Sequence, residues 1–146
     1  MSKWISYSIL LLFICFSCSN ESVEQYVATP NSLQIPQLFE DNILNPVIPT
    51  NNPQTTEGIA LGKKLFFDPI LSANNTQACA DCHAPENAFT DTDRFSDGID
   101  GVFGSRNSMP LFNLAWNYDE KFFWDGSAFS LEHQAFVPVS DPIEMA

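Results

Sequence analysis

The sequence predicts an all-α domain with long irregular loops. Its 146 residues suit one domain of modest size. Apolar residues recur at helical spacing in residues 55–69 and again from Ser130, and no alternating strand pattern of useful length occurs. Residues 91–105 are rich in Gly, Asp and Ser, which is typical of a loop.

A secretory signal is predicted over residues 1–17. A lysine precedes an apolar run at residues 9–16, which is far shorter than the roughly 20 residues that span a bilayer. The letters FSCSNES resemble a bacterial lipoprotein cleavage site, with the small Ser17 before Cys18, although Cys15 stands where an aliphatic residue is usual. We therefore predict that Cys18 is lipidated and that this anchor is the protein's contact with the membrane. Ordinary cleavage and an uncleaved anchor are the alternatives.

A tether and lead-in are predicted over residues 18–52. Residues 19–53 hold five of the 10 prolines, and Asn, Ser and Thr fill much of the remainder. This composition favours extended chain over packed helix. A single domain is then predicted over residues 53–146, and short apolar pieces of the lead-in, such as LQIPQLF, are expected to lie along its surface.

Three helices are predicted within the domain. The first follows Thr55 or Thr56, either of which can cap it, and Pro69 ends it. The second is a short helix around residues 77–83 that carries the letters CADCH. The third begins with SLEHQAF and is expected to end before Pro138.

The letters CADCH carry the chemistry. Cys79 and Cys82 stand three residues apart, so on a helix they share a face, which suits two thioether bonds to the vinyl groups of one haem. His83 follows at once and can coordinate the iron, a usual role of histidine. A thioredoxin-like redox pair would need a βαβ pattern, which is lacking. A zinc site would need more ligands than His133, the other histidine of the chain, so we predict one covalent haem c.

The sixth position on the iron separates an electron carrier from an enzyme. A carrier fills this position with a strong ligand, often Met, whereas a peroxidase leaves it open beside acid–base groups. The candidate ligands in this chain are Met109, His133 and Met145. Composition leaves both alternatives open.

The charge of the chain limits its partners. Eighteen Asp and Glu residues stand against six Lys and Arg, which gives a formal net charge of -12. Nucleic acid is therefore excluded as the main partner, because phosphate binding needs clustered basic residues. An acidic surface favours a basic protein partner. The alternative is that the charge serves only solubility.

Four segments in series resemble the bacterial di-haem cytochrome c peroxidase family, which includes the methylamine-utilisation di-haem enzymes. The segments are LGKKLFFDPILS (61–72), CADCHAPENAFTD (79–91), GSRNSMPLFNLAWN (104–117) and FFWDGSAFSLEHQAFVPVSDPIEM (122–145). Their order and spacing match the family's amino-terminal haem domain. The resemblance implies a cytochrome c-like fold and the reduction of hydrogen peroxide to water, with electrons from a small redox protein such as a cytochrome c or a cupredoxin.

The resemblance also implies roles for single residues besides the proximal ligand His83. Gln134, Pro138 and Glu144 match the family's distal pocket, where a carboxylate can carry a proton and an amide can orient the peroxide. Trp124 matches the tryptophan between the two haems. Asn107 matches a ligand of the calcium ion at the interface between the two haem domains.

The chain departs from the family pattern in three places. It has no second CxxCH, so we expect it to be the amino-terminal part of a di-haem enzyme, truncated before the second haem domain. Nothing then follows Glu144 to fix it, and we expect its segment to be mobile. The loop at residues 91–105 lacks the histidine that blocks the iron in members that need reductive activation. His133 stands where many relatives have an acidic residue, and we expect it at the surface.

These observations predict a periplasmic, membrane-anchored lipoprotein with cytochrome-c peroxidase-like activity. One alternative is a di-haem oxidase of a protein or organic substrate, as in the methylamine-utilisation type. Another alternative is a mono-haem c electron-transfer lipoprotein. The full-length form is expected to be a homodimer, as an implication of the resemblance.

Overall fold

A computed structural model describes residues 25–146 and contains four α-helices in that range. They are α1 (Gln37–Asn42), α2 (Thr56–Phe67), α3 (Cys79–Cys82) and α4 (Leu131–Ser140). Four single 3₁₀ turns lie between α2 and α4, at Pro69–Leu71, Pro85–Asn87, Ile99–Gly101 and Leu114–Trp116. The predicted signal and the predicted lipidation site Cys18 lie outside the described residues.

Within residues 25–146 no β-sheet forms. The extended pairs there are isolated antiparallel bridges, at Pro30–Thr55, Ala84–Thr90, Asp97–Phe103 and Phe122–Ala128. The last three close short loops of the chain on themselves. Helices without a sheet agree with the predicted all-α class, and the long stretches between α2 and α4 agree with the predicted irregular loops.

Helix α2 begins and ends where the sequence predicts. The Thr55 hydroxyl accepts a hydrogen bond from the Gly58 N–H at 3.0 Å, which satisfies one of the free donors of the first turn. At the other end Asp68 is extended, and its Oδ1 accepts from the Ile70 N–H at 3.0 Å. Pro69 then opens a separate turn, because proline has no N–H with which to continue the helix.

Helix α4 runs beyond its predicted end. Ser130 caps it by accepting from the His133 N–H at 3.1 Å. The prediction that it ends before Pro138 is wrong, because α4 continues to Ser140 with Pro138 inside. Pro138 stands in the last turn, where its missing N–H removes a single intrahelical bond. The Ser140 hydroxyl also donates to the carbonyl of Phe136 at 3.0 Å, which supports this turn.

Residues 29–54, which we call the strap, lie against the domain. The two ends of the strap meet at the start of α2, where the Thr56 N–H donates to the Thr29 carbonyl at 2.9 Å. In its middle, the ring of Phe39 on α1 packs edge-on against Trp116, with ring centroids 5.2 Å apart. Near its second end, the side chain of Asn52 contacts Glu132 in the first turn of α4. The expected extended chain is thus interrupted by α1, and the domain limits stay a prediction.

Few apolar side chains are buried in the described part of the chain, and none of the large ones there is fully buried. The buried apolar residues are Ala78, Ile99, Phe122, Ala128 and Met145. Many large apolar side chains are exposed instead, including Phe67, Phe103, Phe112, Trp124 and Phe136. Apolar surface of this extent is unfavourable in water and is available to a further large apolar group.

Among the helices of residues 25–146, none combines the length and the apolar character that a bilayer crossing requires.

Candidate functional site

Helix α3 places the two thiols of CADCH on one face. The Asp81 carboxylate accepts from the Ala78 N–H at 2.8 Å at the start of the helix. The His83 N–H donates to the Cys79 carbonyl at 3.0 Å at its end. Cys79 and Cys82 stand one turn apart, and both are half-buried free thiols. The helix therefore presents two cysteines and a following histidine as one unit.

Burial raises the pKa of both thiols, so they are protonated at neutral pH. The Cys82 thiol also has two polar neighbours at 3.4 Å: it donates to the Asp97 carbonyl, and the Gln77 amide donates to its sulfur. Gln77 donates to the same Asp97 carbonyl at 2.6 Å. This carbonyl thus ties the loop at residues 91–105 to the thiol face of α3.

The ring of His83 is oriented by a backbone carbonyl. Its Nδ1 lies 3.0 Å from the carbonyl oxygen of Phe89. Because a carbonyl can only accept, Nδ1 carries a proton, and in the neutral imidazole this tautomer leaves the lone pair on Nε2. Histidines that bind metals are commonly held in this way by their second ring nitrogen. His83 is therefore prepared for coordination through Nε2.

Helix α4 carries Gln134 and Pro138, which are four residues apart and share a face. The Gln134 Oε1 accepts from the Phe123 N–H at 3.1 Å. His133 points elsewhere: it is exposed, and its ring stacks on Phe129 with centroids 6.4 Å apart. This difference follows from the angle between adjacent helix positions, and it places His133 at the surface as the sequence predicts.

The segment around Glu144 is tied to the domain by its backbone. The Ile99 N–H donates to the Glu144 carbonyl at 3.1 Å, and the Ala73 N–H donates to the Met145 carbonyl at 2.7 Å. The Met145 side chain is 4% exposed. Two neighbouring loops therefore hold this backbone, which contradicts the premise that nothing fixes Glu144, and the mobility of the segment stays a prediction.

Gly98 permits this docking. A Cβ atom on Gly98 would lie 1.9 Å from the carbonyl oxygen of Ile143, far inside van der Waals contact. Every residue other than glycine would push the two loops apart. The backbone of Gly98 has a φ of -106°, which any residue can adopt. Position 98 therefore requires glycine because of the close contact and not because of its backbone conformation.

The carboxyl of Glu144 has a raised pKa. Desolvation is the main cause, and the negative charge of Asp141 adds to it. The residue nevertheless keeps an exposed surface. A carboxyl with a raised pKa is better suited to exchange protons near neutral pH.

Trp124 and Asn107 are brought together by a hydrogen bond. The Trp124 indole N–H donates to the Asn107 carbonyl at 2.9 Å, while its side chain is 61% exposed. The Asn107 side-chain amide donates to the Asp91 carboxylate and to the Asp93 carbonyl, both at 2.6 Å. The Asn107 Oδ1 faces the Thr90 hydroxyl at 3.5 Å, and its role as a calcium ligand stays a prediction.

The predicted site residues thus fall into separate groups in residues 25–146. Trp124 is joined to Asn107, the Glu144 backbone to Ile99, and Gln134 to the Phe123 backbone. No side-chain hydrogen bond in this range joins Trp124, Gln134 and Glu144 to one another. Of the other candidate iron ligands, Met145 is buried and Met109 half-buried.

The sequence missed two features of this site. The first is the Phe89 carbonyl, because every residue has a backbone oxygen and the residue type does not indicate which one accepts from His83. The second is the steric requirement at Gly98, where a glycine in a polar loop looks like any turn residue.

The residues present fit a covalently bound haem. Two protonated thiols share a helix face, a histidine beside them has a free Nε2, and exposed apolar rings are available to cover a flat apolar group. Helices carrying such a thiol–histidine unit define a class of protein, the c-type haem domains.

The family model for di-haem cytochrome c peroxidase matches residues 56–146, which is more than half of the chain. The chain therefore belongs to the di-haem cytochrome c peroxidase family, and this membership implies haem c. The family predicted from the four sequence segments is confirmed.

Curated relatives agree with the family. The chain is 45% identical over 97 residues to the methylamine utilization protein MauG of Methylorubrum extorquens. It is 41% identical over 99 residues to the cytochrome c peroxidase Ccp of Escherichia coli. These matches cover 66% and 68% of this chain but 27% and 21% of the relatives, so the chain spans at most about a quarter of their length.

The fold is also similar to a solved structure. The crystal structure of a MauG-like protein associated with microbial copper homeostasis matches with a TM-score of 0.68 and 34% sequence identity. The match covers 79% of this chain and 32% of that chain.

Proposed function

We propose that Cys79 and Cys82 bind one haem c through thioether bonds and that Nε2 of His83 is the proximal ligand of its iron. The observation that carries this proposal is the 3.0 Å contact between the His83 Nδ1 and the Phe89 carbonyl, which leaves Nε2 free beside the two thiols. The haem supplies the redox chemistry of its iron. The protein supplies attachment, orientation and proton transfer.

The reaction is the reduction of hydrogen peroxide to two molecules of water, which consumes two electrons and two protons. Glu144 takes up and returns a proton of the bound peroxide, and the raised pKa of its carboxyl supports this role. Gln134 orients the peroxide by hydrogen bonding, and Pro138 lines the same face of α4. Trp124 lies on the path by which electrons reach this site.

The electrons come from a small redox protein such as a cytochrome c or a cupredoxin. The net charge of -12 supports a donor with a basic surface, since opposite charges speed the encounter of two proteins. A second haem domain completes the enzyme, with calcium at the interface through Asn107, and the full-length enzyme is a homodimer. Anchoring through Cys18 places it at the periplasmic face of a membrane.

Two alternatives make different predictions. A di-haem oxidase of a protein or organic substrate, as the resemblance to the methylamine-utilisation type implies, would hold its haem with the same residues and would use a larger reductant. A mono-haem electron carrier would use Met109 or Met145 as a further ligand of the iron. A low-spin ferric spectrum that is lost in Met109→Ala or in Met145→Ala would support the carrier and contradict the peroxidase.

The attachment of haem is tested by mass spectrometry. The chain is produced with a haem-attachment system, and we expect the mass of one haem to be added to the wild type. The double variant Cys79→Ser/Cys82→Ser should lack it. Full covalent haem in the double variant would refute the proposal.

The role of Glu144 is tested by the rate at which the haem-loaded chain reacts with peroxide. Glu144→Gln removes the proton carrier, so we expect the rate to fall about 100-fold or more. Glu120→Gln changes an exposed carboxylate in a loop and serves as the matched control. Equal rates in the two variants would exclude Glu144 as the proton carrier.

A further inference from the structure

The strap makes long-range contacts that no step of the proposed reaction uses. The Tyr118 hydroxyl donates to the Leu44 carbonyl at 2.7 Å, across 74 residues of chain. The Asn52 side-chain amide donates to the Glu132 Oε1 at 2.8 Å, across 80 residues. The second contact is the more informative, because it falls on the helix that carries Gln134.

Glu132 and Gln134 face opposite sides of α4. They are two residues apart, which on an α-helix corresponds to about 200° around the axis. Glu132 accordingly meets the strap, whereas Gln134 meets the backbone of Phe123. The hydrogen bond from Asn52 lowers the pKa of the Glu132 carboxyl, so at neutral pH the acceptor is an ionised carboxylate. Two hydrogen bonds on opposite sides fix the rotation of α4 about its axis.

The bond made by Gln134 extends this effect to Trp124. Phe123, whose N–H donates to Gln134, has a positive φ of 64°, a conformation that a bulky residue seldom adopts without support. Trp124 follows directly and is tied to Asn107. A rotation of α4 would therefore displace Gln134 and release the loop that carries Trp124.

We propose that Asn52 is a positioning residue for the peroxide pocket. Through Glu132 it fixes the rotation of α4, and with it the place of Gln134 and of the Trp124 loop. The proposal rests on the proposed role of Gln134, but the coupling between Asn52 and the Phe123 amide can be measured without turnover.

The test is amide hydrogen exchange on the whole chain, produced with a haem-attachment system. In Asn52→Ala we expect the exchange rate of the Phe123 N–H, divided by that of the Phe122 N–H, to rise about fivefold, as for the loss of one hydrogen bond. The Phe122 N–H is the internal reference, because it donates to the Ala128 carbonyl at 2.9 Å and not to Gln134.

The matched control is Asn51→Ala, which removes the same side chain at the neighbouring exposed position. Among the described residues, the Asn51 side chain makes no hydrogen bond of the kind Asn52 makes. We expect this variant to leave the exchange ratio unchanged. An equal rise in both amides of Asn52→Ala would indicate general loosening and would overturn the proposal, as would an unchanged ratio.

A double-mutant cycle gives a second readout. Glu132→Ala should raise the exchange ratio as Asn52→Ala does, and the double variant should add nothing further. Independent, multiplying effects would overturn the proposal.

The rate of cyanide binding to the haem should change several-fold in Asn52→Ala and stay constant in Asn51→Ala. Absence of haem from the wild-type chain would refute the proposed function alone, since the exchange ratio reports the helix and not the reaction.

Discussion

At the scale of single residues, the orientation of His83 depends on a strained turn. Ala88 and Phe89 both have positive φ values, 57° and 59°, although neither is a glycine. The left-handed conformation costs an L-residue about 1–2 kcal/mol. The Phe89 carbonyl, which accepts from the His83 Nδ1, belongs to this turn. The strained backbone therefore places this oxygen where the imidazole can donate to it.

The strain at Ala88 can be measured by one substitution. Ala88→Gly should raise the free energy of unfolding by about 1 kcal/mol, because glycine adopts a positive φ without penalty. The same exchange at exposed Ala60, inside α2, should lower it by about 1 kcal/mol, because glycine disfavours a helix interior. Denaturant unfolding of both variants gives the two signs, and a loss of stability in Ala88→Gly would contradict the assigned strain.

The raised pKa of Glu144 predicts a dependence of stability on pH. The folded state holds the Glu144 proton more tightly than the unfolded state does. Ionisation of this carboxyl therefore stabilises the unfolded state more than the folded state. Stability should therefore fall as the pH rises from the ordinary pKa of glutamate to the raised one. Glu144→Gln should flatten the stability profile in this window, as measured by denaturation at a series of pH values. Glu40→Gln on exposed α1 controls for the lost charge and should follow the wild type.

At the scale of elements, the docking of residues 143–145 against residues 98–99 depends on glycine at position 98, which has no side chain. Gly98→Ala places a Cβ against the Ile143 carbonyl, so we expect a loss of about 1–3 kcal/mol, as for overpacking. We also expect faster exchange of the Ile99 amide, which donates to the Glu144 carbonyl. Gly62→Ala in α2 is the control, because a Cβ there meets nothing within 4 Å. It should raise stability by about 1 kcal/mol, and equal losses in both variants would argue against the steric explanation.

The elements also show what a sequence can and cannot predict. The start and end of α2 were predictable because Thr55 and Pro69 act through their own side chains. The end of α4 was not, since a proline in a last turn removes little, and whether the helix continues depends on neighbours such as Ser140. The thiol–histidine unit was predictable because its spacing is itself the geometry. The docking of Glu144 was not, because it depends on backbone groups of distant loops.

At the scale of the whole molecule, the described chain has many exposed apolar side chains and few buried ones. Binding of a haem should cover part of this surface. We therefore expect the haem-free Cys79→Ser/Cys82→Ser chain to bind more of a hydrophobic dye such as ANS than the haem-loaded wild type. Dye fluorescence at equal protein concentration measures this. Equal dye binding would mean that the exposed rings lie away from the haem.

The contacts that close the strap and the Glu144 segment also set an order of events during biogenesis. A chain is synthesised from its amino end, so residues 79–83 are available well before residues 132–145. Contacts of large sequence separation, such as those of Asn52 with Glu132 and of Ala73 with Met145, form late because a long loop must close first. On this order of events, we expect haem attachment at CADCH to precede the closing of these long-range contacts.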